Sequence, residues 1–147
     1  MHIIRATREH LDGLAGLFDA YRVFYGQPSD VAAAEQFLAA RLGRQDSCIF
    51  VAIADIAPIG FAQLYPSFSS VSIKPIWILN DLYVAASQRG QGIARELMEA
   101  AEQFARESGA VRVVLSTQIA NHVAQNLYES RGYIRDTEFY HYALGFE

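Results

Sequence analysis

The sequence predicts a single α/β domain over residues 1–147, with a mixed, mostly antiparallel sheet and helices on both faces. Three observations carry this. Apolar runs of strand length alternate with longer stretches whose apolar residues recur at helical spacing. One such run, residues 76–84, leads almost directly into a glycine turn, Arg89-Gly90-Gln91-Gly92, that opens a helix. A chain of 147 residues, 52% apolar and 19% charged, is long enough for one core and short for two.

The elements follow in order. Residues 2–5 read as a first strand, and Thr7 as the N-cap of a helix that turns Leu11, Leu14, Leu17, Phe18, Tyr21 and Phe24 inward. Gly26-Gln27-Pro28 breaks it, and Ser29 caps a second helix, residues 30–44, with Val31, Phe37, Leu38 and Leu42 on its buried side. Residues 48–54 and 59–65 read as strands two and three, joined by a short hairpin connection. The polar stretch 66–72 reads as an exposed connection to the fourth strand, 76–84. A helix over 92–107 follows, with Leu97, Met98, Ala101, Phe104 and Ala105 on one face and Gly109 as its stop. Residues 111–116 form a fifth strand and 121–131 a last helix. Residues 133–135 and 138–144 read as two final strands, the second alternating through Phe139, Tyr140, His141 and Tyr142. The order is βααβββαβαββ.

Composition excludes several functions. Twelve basic against sixteen acidic residues give a net charge of −4, with no basic run or basic–aromatic interleaving, so direct nucleic-acid binding is disfavoured. No leader precedes the first strand and no apolar run is long enough to cross a bilayer, so a cytoplasmic protein without a membrane role is expected. Cys48 lies in a strand-like run and reads as a buried, inert thiol. His2, His10, His122 and His141 show no ligand spacing with one another or with Cys48, so no metal is expected. Ser116-Thr117 lacks the Gly-x-Ser-x-Gly elbow of hydrolases.

The glycine turn is the chemical signal. Two glycines one residue apart leave backbone N–H groups unobstructed, and the first turn of a helix leaves its own N–H groups unpaired, a combination suited to phosphate or pyrophosphate. Arg89 adds a positive charge at its mouth. A nucleotide-hydrolase loop requires Gly-Lys-Ser/Thr, which is absent. A dinucleotide fingerprint requires glycine or alanine where Gly90-Gln91-Gly92-Ile93-Ala94-Arg95 has Arg95.

The pattern that fits is Arg/Gln-x-x-Gly-x-Gly/Ala, met by Arg89, Gly92 and Ala94; with Asn80-Asp81-Leu82-Tyr83-Val84 before it and Asn121, Asn126, Tyr128 and Gly132-Tyr133 after it, the chain resembles the GNAT superfamily of N-acetyltransferases. The resemblance is most specific over residues 77–133. The Asn-Asp-Leu-Tyr-Val strand and the early Tyr21-x-x-Phe24-Tyr25 look like its polyamine, thialysine and histone-type members. It implies a GNAT fold in which the fourth and fifth strands splay, so that the pantetheine arm of acetyl-CoA enters the gap and pairs with the edge at Leu82, Tyr83 and Val84, much as an added strand would. It places Arg89, Gly90, Gln91, Gly92, Ile93, Ala94 and Arg95 around the pyrophosphate, an oxyanion-type backbone N–H near Leu82 to Val84, and Asn121 and Asn126 on the arm. Asn121 is equally a helix N-cap, and the two roles can coexist.

Tyr128 matches the family's general acid, because a phenol of intrinsic pKa about 10 keeps its proton at neutral pH; the alternative is a tyrosine that fills the helix–sheet interface. The implied reaction is transfer of acetyl from acetyl-CoA to a primary amine, of a small molecule or a lysine side chain, by direct attack in a ternary complex. The chain departs from the polyamine-type pattern at Asn80, where those members carry a substrate-facing glutamate, so the base is missing. Regular alternation puts Asp81 and Asn80 on opposite faces, so they are not expected to line one pocket. Tyr21, Tyr25 and Glu138 offer a different amine pocket, with core packing as the alternative for the tyrosines. A coenzyme A-binding sensor that has lost catalysis is the rival reading, and a nucleotide-binding protein a third. The aromatic last strand offers a pairing edge for a second copy, so a homodimer is expected.

Overall fold

A computed structural model describes residues 1–147 as two compact units, residues 1–116 and 117–147. In the first unit the strands lie side by side in chain order. β1 (His2–Arg5), β2 (Cys48–Ala54), β3 (Ala57–Ser69) and β4 (Lys74–Val84) pair antiparallel, and β5 (Val113–Val114) joins β4 in parallel. The inner strands are apolar on both faces because helices cover both. Ile49, Val51, Ile53 and Phe61 turn toward α1 (Leu11–Phe24) and α2 (Val31–Arg44), where Leu14, Phe18, Ala34 and Leu38 complete the core. Strand alternation sends their neighbours to the other face, where α3 (Ile93–Glu107) sets Phe104 against Phe50 and Trp77. Gly60 permits this approach: a Cβ there would lie 3.0 Å from the Tyr83 carbonyl oxygen and 3.2 Å from Leu97 Cδ1.

Element ends differ from the sequence expectation where a stronger partner competes. Asp30, not Ser29, caps α2, its carboxylate accepting the Ala33 N–H at 3.0 Å. The Ser29 hydroxyl and the Asp30 N–H both donate to Asp19 at 2.7 Å, a buried carboxylate that binds donors more strongly than a neutral hydroxyl does. Thr7 caps a single 3₁₀ turn, Arg8–His10, that leads into α1.

Residues 66–72 are not a loose connection: the β3–β4 hairpin continues through them and turns only at 70–73. Pro66 is tolerated because it stands opposite Trp77, whose N–H points away from β3 to the Arg112 carbonyl at 3.2 Å. That makes the pair non-hydrogen-bonded, so the missing N–H of proline leaves no gap toward β4. β5 is confined to two residues rather than 111–116.

The second unit consists of α4 (His122–Ser130) and a segment without regular structure. The strands expected at 133–135 and 138–144 are therefore corrected. A strand requires a neighbour's N–H and C=O groups, and alternation at Phe139, Tyr140 and Tyr142 supplies the period without the partner; all three are exposed. The observed order is βααβββαβα.

Candidate active site

At the carboxyl end of β4 a 3₁₀ turn, Ala86–Gln88, leads to the glycine turn. Gly90 and Gly92 sit at φ +79° and +80°, the left-handed region where a side chain is strained. A Cβ built on either meets nothing within 4 Å, so the space before the loop is open. Gly92 is the N-cap of α3 and offers no side chain to cap it. The first bond of the helix runs from the Glu96 N–H to the Gly92 carbonyl at 3.1 Å. Helix geometry therefore leaves the N–H groups of Gly92, Ile93 and Ala94 without an intrahelical acceptor, at the positive end of the helix dipole. An anion fits this arrangement without any side chain.

The flanking cations are held in place. Arg89 donates from Nε to the Val84 carbonyl at 2.9 Å, and its guanidinium lies 5.3 Å from the ring centroids of both Phe24 and Tyr83. Arg95 pairs with Glu99 one turn along α3 at 3.6 Å. Gln91 is exposed.

The β4 edge beside this loop is open. β5 pairs only with Trp77 and Ile78, so β4 from Leu79 onward, including Leu82, Tyr83 and Val84, has no strand on that side. The register with β3 slips there: Gln63 faces Asp81, Leu64 faces Leu79, and Asn80 faces no residue. This is a β-bulge, and it overturns the expected separation of Asn80 from Asp81. A regular strand would send the two side chains to opposite faces, whereas the bulge brings them into contact, with Asn80 Nδ2 donating to Asp81 Oδ1 at 3.0 Å.

Asp81 is 4% exposed and takes two more donors, the Tyr21 hydroxyl on Oδ1 and Gln63 Nε2 on Oδ2, each at 2.7 Å. Burial, and then the charge of Asp81, push the Tyr21 phenol far above its usual range. The same two causes push Tyr65 up to about 12. Tyr21 also packs against Tyr25 at 5.1 Å and Tyr83 at 5.8 Å between ring centroids, which joins the cluster to the Arg89 stack. The structure thus brings Tyr21, Tyr25, Asn80, Asp81, Tyr83 and Arg89 into one connected patch. The sequence reading did not place Gln63, Tyr65 or Phe24 in the site. Gln63 had a signal, being the one amide in an apolar strand.

In the second unit, Asn121 caps α4 by accepting the Ala124 N–H at 3.1 Å. Asn126 and Tyr128 follow on that helix, and the Tyr128 ring lies 6.2 Å from that of Tyr133. Glu138 lies in the irregular segment, where its N–H donates to Asp136 at 2.9 Å.

An open strand edge, a bulge and a glycine-initiated helix follow one another along the chain, and comparison with known proteins assigns their class. Residues 14–133 match the model of the Acetyltransferase (GNAT) family. The chain is 46% identical over 144 residues to the uncharacterized N-acetyltransferase YhfO of Bacillus subtilis, covering 98% of this chain and 97% of that protein. It superposes on the crystal structure of a "probable acetyltransferase" with a TM-score of 0.95 at 50% identity, over 100% of this chain and 99% of the other. An aminoglycoside N-acetyltransferase solved in complex with CoA shares the fold at a TM-score of 0.79 and 23% identity, over 97% of this chain and 93% of that one. The chain belongs to the GNAT family and is an acetyltransferase.

Proposed function

We propose that residues 1–147 act as one domain that transfers an acetyl group from acetyl-CoA to a primary amine, borne by a small molecule or a lysine side chain, by direct attack in a ternary complex. The observation that carries this reading is the glycine turn: open space before Gly90 and Gly92 and unpaired first-turn N–H groups, next to an unpaired strand edge. A pyrophosphate with an amide-bearing arm fits those two features together. Acetyl-CoA supplies an activated thioester, whose C–S bond breaks as the C–N bond forms.

The chain's own residues hold and orient. The loop from Arg89 to Arg95 binds the pyrophosphate, chiefly through backbone N–H groups. The edge at Leu82, Tyr83 and Val84 takes the arm, and a backbone N–H there polarises the carbonyl. Asn121 keeps its Nδ2 for the arm while its carbonyl oxygen caps α4, and Asn126 assists. Tyr128 Oη holds the proton that the departing thiol requires. Tyr21, Tyr25, Asn80 and Asp81 surround the amine. The protein works in the cytoplasm as a homodimer, a reading supported by the exposed aromatic side chains of Phe139, Tyr140, Tyr142 and Phe146.

Thiol release from acetyl-CoA, over a panel of spermidine, lysine analogues and a basic peptide, tests this reading. At least one amine is expected to raise release above the hydrolysis background. Tyr128→Phe is expected to lower turnover about 100-fold with acetyl-CoA affinity retained. Binding of acetyl-CoA without release to any amine would overturn the reading. Light scattering is expected to give the mass of two chains.

A further inference from the structure

We propose that Asp81 is a positioning residue: its carboxylate holds the Asn80 amide with the carbonyl oxygen outward, so that position 80 presents the substrate amine with a hydrogen-bond acceptor that does not ionise. The inference rests on the acyl-transfer reading above and deepens it by naming what orients the nucleophile.

The orientation follows from chemistry. An ionised carboxylate only accepts, so the atom of Asn80 that faces Asp81 Oδ1 at 3.0 Å is the amide nitrogen. Asp81 cannot turn away, because the Tyr21 hydroxyl and Gln63 Nε2 hold it from two other elements and it is almost wholly buried. Asn80 itself is exposed at the bulge, and Oδ1 has no hydrogen-bond partner within the protein. The negative charge behind Nδ2 polarises the amide and enriches Oδ1 in electron density.

The charged and titratable surroundings leave Asp81 no competing cation at hydrogen-bond distance. Tyr21 faces it from α1 and Tyr65 from β3, with Tyr25, the residue after α1, beyond Tyr21 and with Arg41 and Asp46 beyond Tyr65. The Tyr21 and Tyr65 phenols are neutral at neutral pH. With three donors on its two oxygens Asp81 is engaged as an acceptor, and Asn80 takes no proton. The amine therefore loses its proton to water and is oriented by Asn80 as the free base. The rising limb of kcat/KM against pH is then set by the substrate's own ammonium group.

The test uses the full chain and n-butylamine as the probe. The Asn80 side-chain NH2 is followed by 15N NMR during titration with n-butylamine, and thiol release with the same amine is measured against pH. An exchange-protected Asn80 signal that shifts saturably with n-butylamine is expected, and Asp81→Asn is expected to abolish its protection. Asn80→Ala should raise the KM for the amine about tenfold with kcat nearly unchanged. Asn80→Asp should add an ionisation to the profile at lower pH, because a carboxylate next to Asp81 has a raised pKa. An Asn80 signal blind to the amine, or an unchanged KM in Asn80→Ala, overturns this inference and leaves acyl transfer intact. A protein that takes n-butylamine at Asn80 yet releases no thiol with any amine overturns acyl transfer instead.

Discussion

The glycine turn and Asp81, the centre of the side-chain cluster, lie within a dozen residues of chain, and the two regions are built by opposite means. The turn is made of backbone: two left-handed glycines and the unpaired N–H groups of a helix start. The cluster is made of side chains from α1, β3 and β4 that converge on one buried carboxylate. A backbone site tolerates most side-chain changes and fails at its glycines. A convergent cluster fails at its centre, because removing one acceptor strands several donors.

Asp81→Leu should have the largest effect, because it leaves Tyr21, Gln63 and Asn80 without their acceptor. A loss of about 3 kcal/mol in urea unfolding is expected, and a near-neutral result would mean that the cluster stores no stability. Tyr21→Phe removes one hydrogen bond to a charged group and should cost about 1.5 kcal/mol by the same measurement. Gly92→Ala should cost about 1 kcal/mol for the left-handed backbone, so the turn is the less stability-critical of the two regions. A separate effect lies in alkali. Burial raises the Cys48 thiol from 9.0 to about 11 and Tyr65 from 10.0 to about 12. Both groups hold protons in the native state that the unfolded chain has lost, so the stability these two contribute is constant below about pH 9 and falls from there toward pH 12. Native Cys48 should also resist a thiol reagent at neutral pH; rapid labelling would show that its strand opens.

Most of the turn could be read from sequence because its parts are neighbours: Arg89, Gly90, Gly92 and Ala94 fix their own spacing. The helices were readable for the same reason, with errors of one residue where Asp19 drew Ser29 away from its cap. The cluster was readable only in part. Tyr21 and Asp81 stand sixty residues apart and their bond exists only after folding. Asn80 and Asp81 are adjacent, yet their contact depends on a bulge set by the register of two strands, which neither strand encodes alone. The final strands failed for a related reason. Phe139 to Tyr142 alternate as a strand does, but alternation describes a face, and a strand also requires a partner.

Isothermal titration of acetyl-CoA into the wild-type protein and into Gly92→Val tests most directly whether backbone at the start of α3 holds the cofactor. Saturable binding by the wild type, weakened at least about tenfold by the valine while an Asp81→Asn control binds normally, is the result predicted when a β-branched side chain, strained at φ +80°, displaces the charge-assisted N–H donors. Equal affinity in the wild type and Gly92→Val would contradict it and move the cofactor site away from the glycine turn.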